Sequence, residues 1–163
     1  MHQDDVHTNV ILRPAEAQDE PFLFQVYAST RADEMALVDW SEEQKRAFLT
    51  MQFNAQRSDY GIHYPGAVTS VIILEAGGVP IGRMIVDRSC GEIHLMDIAL
   101  LPEYRCAGVG SRLVQDLQDE ARAKKQSIVL YVEVFNPAIH LYERLGFARS
   151  GASGIYFKME WPA

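Results

Sequence analysis

The stretch Arg105-Cys106-Ala107-Gly108-Val109-Gly110-Ser111-Arg112 holds residue types suited to binding an anion. Its glycines let the backbone curl so that successive N–H groups converge. A helix N-terminus behind such a nest adds a positive dipole end, and the combination binds phosphate. Three glycine patterns compete for the segment. A P-loop requires G-x-x-x-x-G-K-[ST], but Arg112 follows Gly110-Ser111 and no lysine is in place. A dinucleotide fingerprint requires G-x-G-x-x-G, but Leu113 stands where the third glycine belongs. The pattern R-x-x-G-x-G, from Arg105 to Gly110, fits. The cysteines, Cys90 and Cys106, have neither metal-ligand spacing nor a disulfide framework, so they read as free thiols in a reducing compartment.

For the loop to act, a strand must end before it and a helix must begin within it. Residues 92–100 read as that strand. Val109, Leu113, Val114, Leu117 and Ala121 form the apolar stripe of the helix, which runs to about Lys125 with basic residues where they suit the dipole. Upstream, residues 10–14 read as a strand ended by proline. Residues 19–31 read as a helix with Asp19 as cap and Pro21 in the first turn. Ser41 and Gln44 make a capping box for a second helix, with Phe48, Met51, Gln52 and Ala55 at helical spacing and an expected end near Arg57. Apolar runs at 71–74 and 79–86 flank Ala76-Gly77-Gly78, a hairpin signal. Residues 128–135 read as a strand buried on both faces, 138–144 as a short helix stopped at Gly146, and 155–161 as a last strand. The order β α α β β β α β α β implies an α/β domain around a mixed sheet. No repeat or linker divides residues 1–163, so a single domain is expected.

With a strand before the loop and a helix after it, the sequence resembles the GNAT N-acetyltransferase superfamily over most of its length. The likeness is strongest over Asp97-Ile98-Ala99-Leu100-Leu101-Pro102-Glu103-Tyr104-Arg105-Cys106-Ala107-Gly108-Val109-Gly110. It recurs at Asn136-Pro137-Ala138 and at Leu141-Tyr142-Glu143-Arg144-Leu145-Gly146-Phe147. One departure is Cys106, where many relatives have glycine. The resemblance implies the GNAT acyl-CoA N-acyltransferase fold, a mixed and mostly antiparallel sheet whose fourth and fifth strands splay apart, flanked by helices. It implies acetyl-CoA as co-substrate and no metal. Ile98, Ala99 and Leu100 would line the cofactor in the splay, where a bulge in the fourth strand frees backbone N–H groups. The amides of Cys106, Ala107, Gly108, Val109, Gly110 and Ser111 would hold the pyrophosphate, with Arg105 beside them. Asn136 would contact the pantetheine arm.

The implied reaction moves an acetyl group to a primary amine of a small molecule or peptide by direct attack on the thioester. An alkylammonium resembles Lys, with a pKa of about 10.4, so it must first lose a proton. The N–H of Leu100, expected at the bulge, is the candidate oxyanion donor. Tyr142 occupies the family's general-acid position. Read alone it is a core aromatic, and the flanking motif favours the acid. His94, counted back from Arg105, falls where some family members carry a basic carboxylate, and a histidine suits proton relay near neutral pH. An ordinary strand histidine is the competing reading. Asp97 and Glu133 read as structural carboxylates near the splay. Glu34 borders the acceptor side and is the candidate contact for a cationic substrate, against a plain solvated acid. Trp40, Tyr60 and Tyr64 are expected in loops, shaping an acceptor pocket or filling core. Two alternatives stay open: use of a longer acyl-CoA, and a catalytically silent CoA-binding sensor or regulatory module.

The chain of 163 residues is 48% hydrophobic and 23% charged, which excludes a disordered or collagen-like protein. A net charge of −7 argues against a general nucleic-acid binder. The charge is uneven: residues 1–60 hold 11 acidic against 5 basic side chains, and the rest is nearly balanced. The acidic part is the one expected to border the acceptor, so a cationic amine is the expected partner. No apolar run approaches the ~20 residues of a membrane helix. The polar start, with His2 and His7, does not resemble a presequence. A cytoplasmic location without membrane contact is expected, and a homodimer, common in the family, remains open.

Overall fold

A computed structural model describes residues 9–162. The expectations for the N-terminal tail, with His2 and His7, lie outside the described residues. The strands are β1 (Val10–Pro14), β2 (Ala67–Leu74), β3 (Pro80–Asp87), β4 (Ile93–Leu100), β5 (Ile128–Glu133), β6 (Ala148–Ser153) and β7 (Tyr156–Trp161). The helices are α1 (Glu20–Thr30), α2 (Ala32–Ala36), α3 (Glu42–His63), α4 (Val109–Lys124) and α5 (Ala138–Arg144). One sheet runs β1-β2-β3-β4-β5-β7-β6. Its neighbours are antiparallel except β4 and β5, which are parallel. The mixed, mostly antiparallel architecture is the expected one.

Two irregularities of β4 shape the molecule. The first is its divergence from β5. The two strands pair only through Ile93 with Ile128 and His94 with Val129. Beyond that point they part, and a V-shaped gap opens. The second is a bulge against β3. Ile85 pairs with Asp97 and Val86 with Leu95, so Met96 has no partner. The extra residue shifts the alternation by one. Ile93 and Leu95 before it, and Ile98 and Leu100 after it, all join the core under α4 and α5. His94 and Asp97 are thereby brought to the opposite face, although an unbroken period of two would separate them.

The main core lies between the sheet and the helices α4 and α5. Leu113, Val114, Leu117 and Ala121 of α4 pack with Ile72, Ile93, Ile128 and Met159 of the sheet. The other face carries α1 and α3, where Tyr27 packs with Leu49 and Phe53, and Val26 with Ala99 and Leu101. The capping box of α3 forms as expected: Gln44 N–H donates to Ser41 Oγ, and Gln44 Oε1 accepts from Ser41 N–H.

Several boundaries differ from the sequence reading. Helix α3 continues past Arg57 to His63, because Leu49, Phe53, Gln56 and Tyr60 extend its inner face and Pro65 supplies the stop. Met51 is exposed instead of forming core. Asp19 stands at the N-cap position of α1, but its side chain makes no capping bond there. Its carboxylate takes both guanidinium arms of Arg13 at 2.8 Å and the N–H of Glu16 at 2.7 Å, which fastens β1 to the start of α1. Strand β5 ends at Glu133, and Tyr131 is exposed because β5 opens into the gap there. The strand β6 and the one-turn helix α2 were not expected. Neither buries a residue, so neither leaves an apolar period to read.

Candidate active site

The glycine loop sits at the closed end of no pairing ladder. None of the N–H groups of residues 106–111 donates a hydrogen bond among the described residues. The first backbone donor after them is Arg112, bonded to Gly108 O at 3.0 Å. Cys106 at φ 59° and Gly108 at φ 82° both take the left-handed conformation that turns successive amides inward. This explains why glycine suits position 106. A Cβ on Gly110 would meet nothing within 4 Å, so open space adjoins the loop there. Helix α4 starts at Val109 and directs its positive end into the same space. A run of unpaired amides at a helix N-terminus fits a pyrophosphate group.

The Arg105 guanidinium is held by neighbouring oxygens. Its Nε donates to Leu100 O at 2.9 Å, and Nη2 lies 3.4 Å from Ser29 Oγ. It therefore ties the loop to the end of β4 and to α1. The bulge lies at Met96 and not at Leu100, which corrects the expected position of that amide. Leu100 still faces the gap. Leu101 N–H donates to Ile81 O at 2.8 Å, and strand alternation sends the Leu100 N–H to the other edge, toward β5. Ile98, two residues back, has the same orientation.

A cleft of about 600 Å³ opens at the gap. It is lined by Ile98 and Ala99, by His94 and Asp97, and across the gap by Asn136 and Tyr142. Tyr142 of α5 is buried against Phe147, with ring centroids 5.7 Å apart. Burial first, and the charge of Asp97 second, push its phenol well above the usual tyrosine range. Its proton is therefore held at neutral pH. His94 stands edge-on between Tyr64 at 5.3 Å and Tyr131 at 5.6 Å. Burial lowers its pKa, against the opposing pull of Asp87 and Glu92. Asn136 Oδ1 accepts from Ala138 N–H at 2.9 Å and so opens α5, while the residue still borders the cleft.

The acceptor side holds charged groups that sequence reasoning assigned only in part. Glu34 lines the cleft but is exposed and paired with Arg31 at 2.9 Å. Arg31 also lies 3.9 Å from Glu133. Asp97 is bound by Arg83, whose side chain is only 5% exposed, at 2.6 Å. Arg83 also donates to Gln56 Oε1 at 3.1 Å and lies over the Tyr27 ring. Tyr60 and Tyr64 are not in free loops: Tyr60 belongs to α3 and Tyr64 caps it. The Tyr60 phenol is pushed up to about 12 by burial and by Asp97. Arg83, Gln56 and Tyr156 were missed as cleft residues. For Arg83 the signal was available: an arginine amid Ile81, Met84 and Ile85 must find a buried carboxylate.

A family model described as the acetyltransferase (GNAT) family matches residues 29–147. No curated protein sequence matches the chain. Among solved structures, PaiA N-acetyltransferase from Thermoplasma acidophilum in complex with coenzyme A is 18% identical, with a TM-score of 0.72 over 95% of this chain and 99% of that one. An acetyltransferase from Thermus thermophilus is 16% identical, with a TM-score of 0.66 over 95% and 97%. Spermidine N-acetyltransferase from Vibrio cholerae, solved with CoA and spermine, is 20% identical, with a TM-score of 0.62 over 94% and 95%. At these identities the structures share the fold.

Proposed function

Given that the chain belongs to the GNAT acetyltransferase family, we propose that it transfers an acetyl group from acetyl-CoA to a primary amine by direct attack on the thioester. The observation that carries this reading is the row of unpaired amides at residues 106–111, which follows the strand β4 whose gap from β5 Tyr142 lines. Those amides bind the pyrophosphate. Ile98, Ala99 and Leu100 lie along the pantetheine, and Asn136 meets it from α5. The N–H of Leu100 stabilises the charge that develops on the thioester oxygen. Tyr142, protonated at neutral pH and pushed further from ionisation by burial, donates to the leaving thiolate. His94, kept neutral by burial, takes the proton of the incoming ammonium.

The cleft is lined by four carboxylates, Glu34, Asp59, Asp97 and Glu133, against two guanidinium groups, Arg31 and Arg83. With His94 neutral, this excess favours a cationic acceptor, and Glu34 contributes to it from the rim. The Vibrio cholerae structure, named for a cationic substrate, is compatible with that sign. The test is a panel of small and peptide amines incubated with acetyl-CoA, with acetylated product read by mass. Acetyl-CoA should also raise the melting temperature by linkage. A melting shift with no acetylated product on any amine would favour a sensor. No shift at saturating acetyl-CoA would remove the cofactor assignment.

A further inference from the structure

A second cleft, of about 490 Å³, adjoins the first. Gln56, Tyr60, Tyr64 and Arg83 line both, so the two open spaces share one wall. The second is less polar than the first: Leu23 of α1, Phe53 of α3, Ala67 of β2 and Ile85 of β3 face it, Pro65 borders it, and Glu16, Glu20 and Arg57 supply its charge. Counting Arg83, three of its four charged groups are held in ion pairs. Arg57 pairs with Glu20 at 3.0 Å, and Arg83 is held by Asp97 at 2.6 Å. Glu16 is left on the exposed rim, where Gln18 donates to it.

An independent feature keeps this space open. Gly61 lies within α3 and lines the cleft. Its φ is not in the left-handed region, and a Cβ there would meet nothing within 4 Å. Neither backbone conformation nor crowding requires glycine, which is a poor helix former. Its effect is to leave the second cleft free of a side chain.

We propose that the second cleft is an extension of the acceptor site and takes an uncharged aromatic body. The acceptor is then an arylalkylamine-like monocation. Its ammonium group lies among the carboxylates of the first cleft, and its ring lies against Phe53, Tyr60 and Tyr64 in the second. This rests on the acetyl-transfer reading and adds the chemistry of the part of the substrate that does not react. The pairing of the charges in the second cleft disfavours a second ammonium there.

The experiment compares kcat/KM for three amines of matched length: a phenylalkylamine, a linear alkylamine and an α,ω-diamine. Placing the ring against Phe53, Tyr60 and Tyr64 should favour the phenylalkylamine over the diamine by roughly tenfold or more. Gly61→Phe fills the cleft from the helix side, and Ala67→Phe fills it from the sheet side. Each should collapse that preference, while the melting shift given by acetyl-CoA reports an intact fold. Equal use of the three amines, a preference for the diamine, or a preference that survives both substitutions overturns the second-cleft assignment but leaves acetyl transfer standing. Acetylation of no amine by a protein that binds acetyl-CoA overturns the transferase reading, and this inference with it.

Discussion

Burial acts in opposite senses on the two titratable groups beside the gap. It stabilises the uncharged form of each, which is an acid for Tyr142 and a base for His94. Tyr142→Phe keeps the ring and its packing on Phe147 but removes the proton. Turnover should fall by about 10²-fold or more, with the acetyl-CoA melting shift retained. Near-wild-type turnover would return Tyr142 to the core. For His94 the sign follows from its lowered pKa. The imidazole is neutral at pH 7, so activity should be lost only as the pH falls below its ordinary value of 6.5 and the base takes up a proton. His94→Ala should erase that acidic limb, and a pH profile of unchanged shape would leave His94 as a spacer between Tyr64 and Tyr131. His94 was picked out by its distance from Arg105 and Tyr142 by the motif of residues 141–147 around it, and both line the cleft. Arg105 was legible as a motif residue, but its direction was not. Whether a guanidinium turns to an open space or back to Leu100 O depends on where α1 brings Ser29, and no local spacing encodes that.

The strand β4 carries more of the site than any other element, and its neighbour β3 limits how it can sit. Gly82 lies opposite Leu100, and a Cβ on it would come within 2.3 Å of Ala99 O. The contact is with backbone, so β4 would have to move. Gly82→Ala should cost about 1–3 kcal/mol by overpacking. It should also weaken acetyl-CoA binding, because the displaced residues are those that line the gap. A variant with wild-type stability and cofactor affinity would show that β4 has slack. The bulge in β4 was present in the sequence as a broken alternation: Ile93 and Leu95, then Ile98 and Leu100, with one residue too many between them. It is what makes His94 and Asp97 neighbours on one face. The end of α3 was less legible, because Ser58, Asp59 and Gly61 resemble a loop while Gln56 and Tyr60 are held on the inner face by the cleft beneath them. Strand β6 could not be read at all. Its residues are small, polar and exposed, and it exists through its ladder with β7.

Across the whole molecule, charge would divide the two proposed substrates. The segment 1–60 holds 11 acidic and 5 basic residues, and it supplies α1, α2 and most of α3. Of its basic residues, Arg13, Arg31, Lys45 and Arg57 are in ion pairs with acids of the same segment. The segment as a whole is net negative. The glycine loop and α4 belong to the nearly balanced remainder, where anionic CoA must bind through local amides against a net charge of −7. The long-range field therefore attracts a cationic amine and repels CoA, and salt weakens both effects. Screening reaches about 30 Å at 0.01 M salt and shrinks to about 8 Å at 0.15 M. Raising the salt over that range should increase KM for the amine and leave KM for acetyl-CoA unchanged or lower. The opposite signs separate steering from a general effect of salt on the fold, which would move both constants together. An amine KM that ignores salt, or a preference for anionic acceptors, would remove the steering and leave the paired carboxylates of the cleft as the sole source of charge selection.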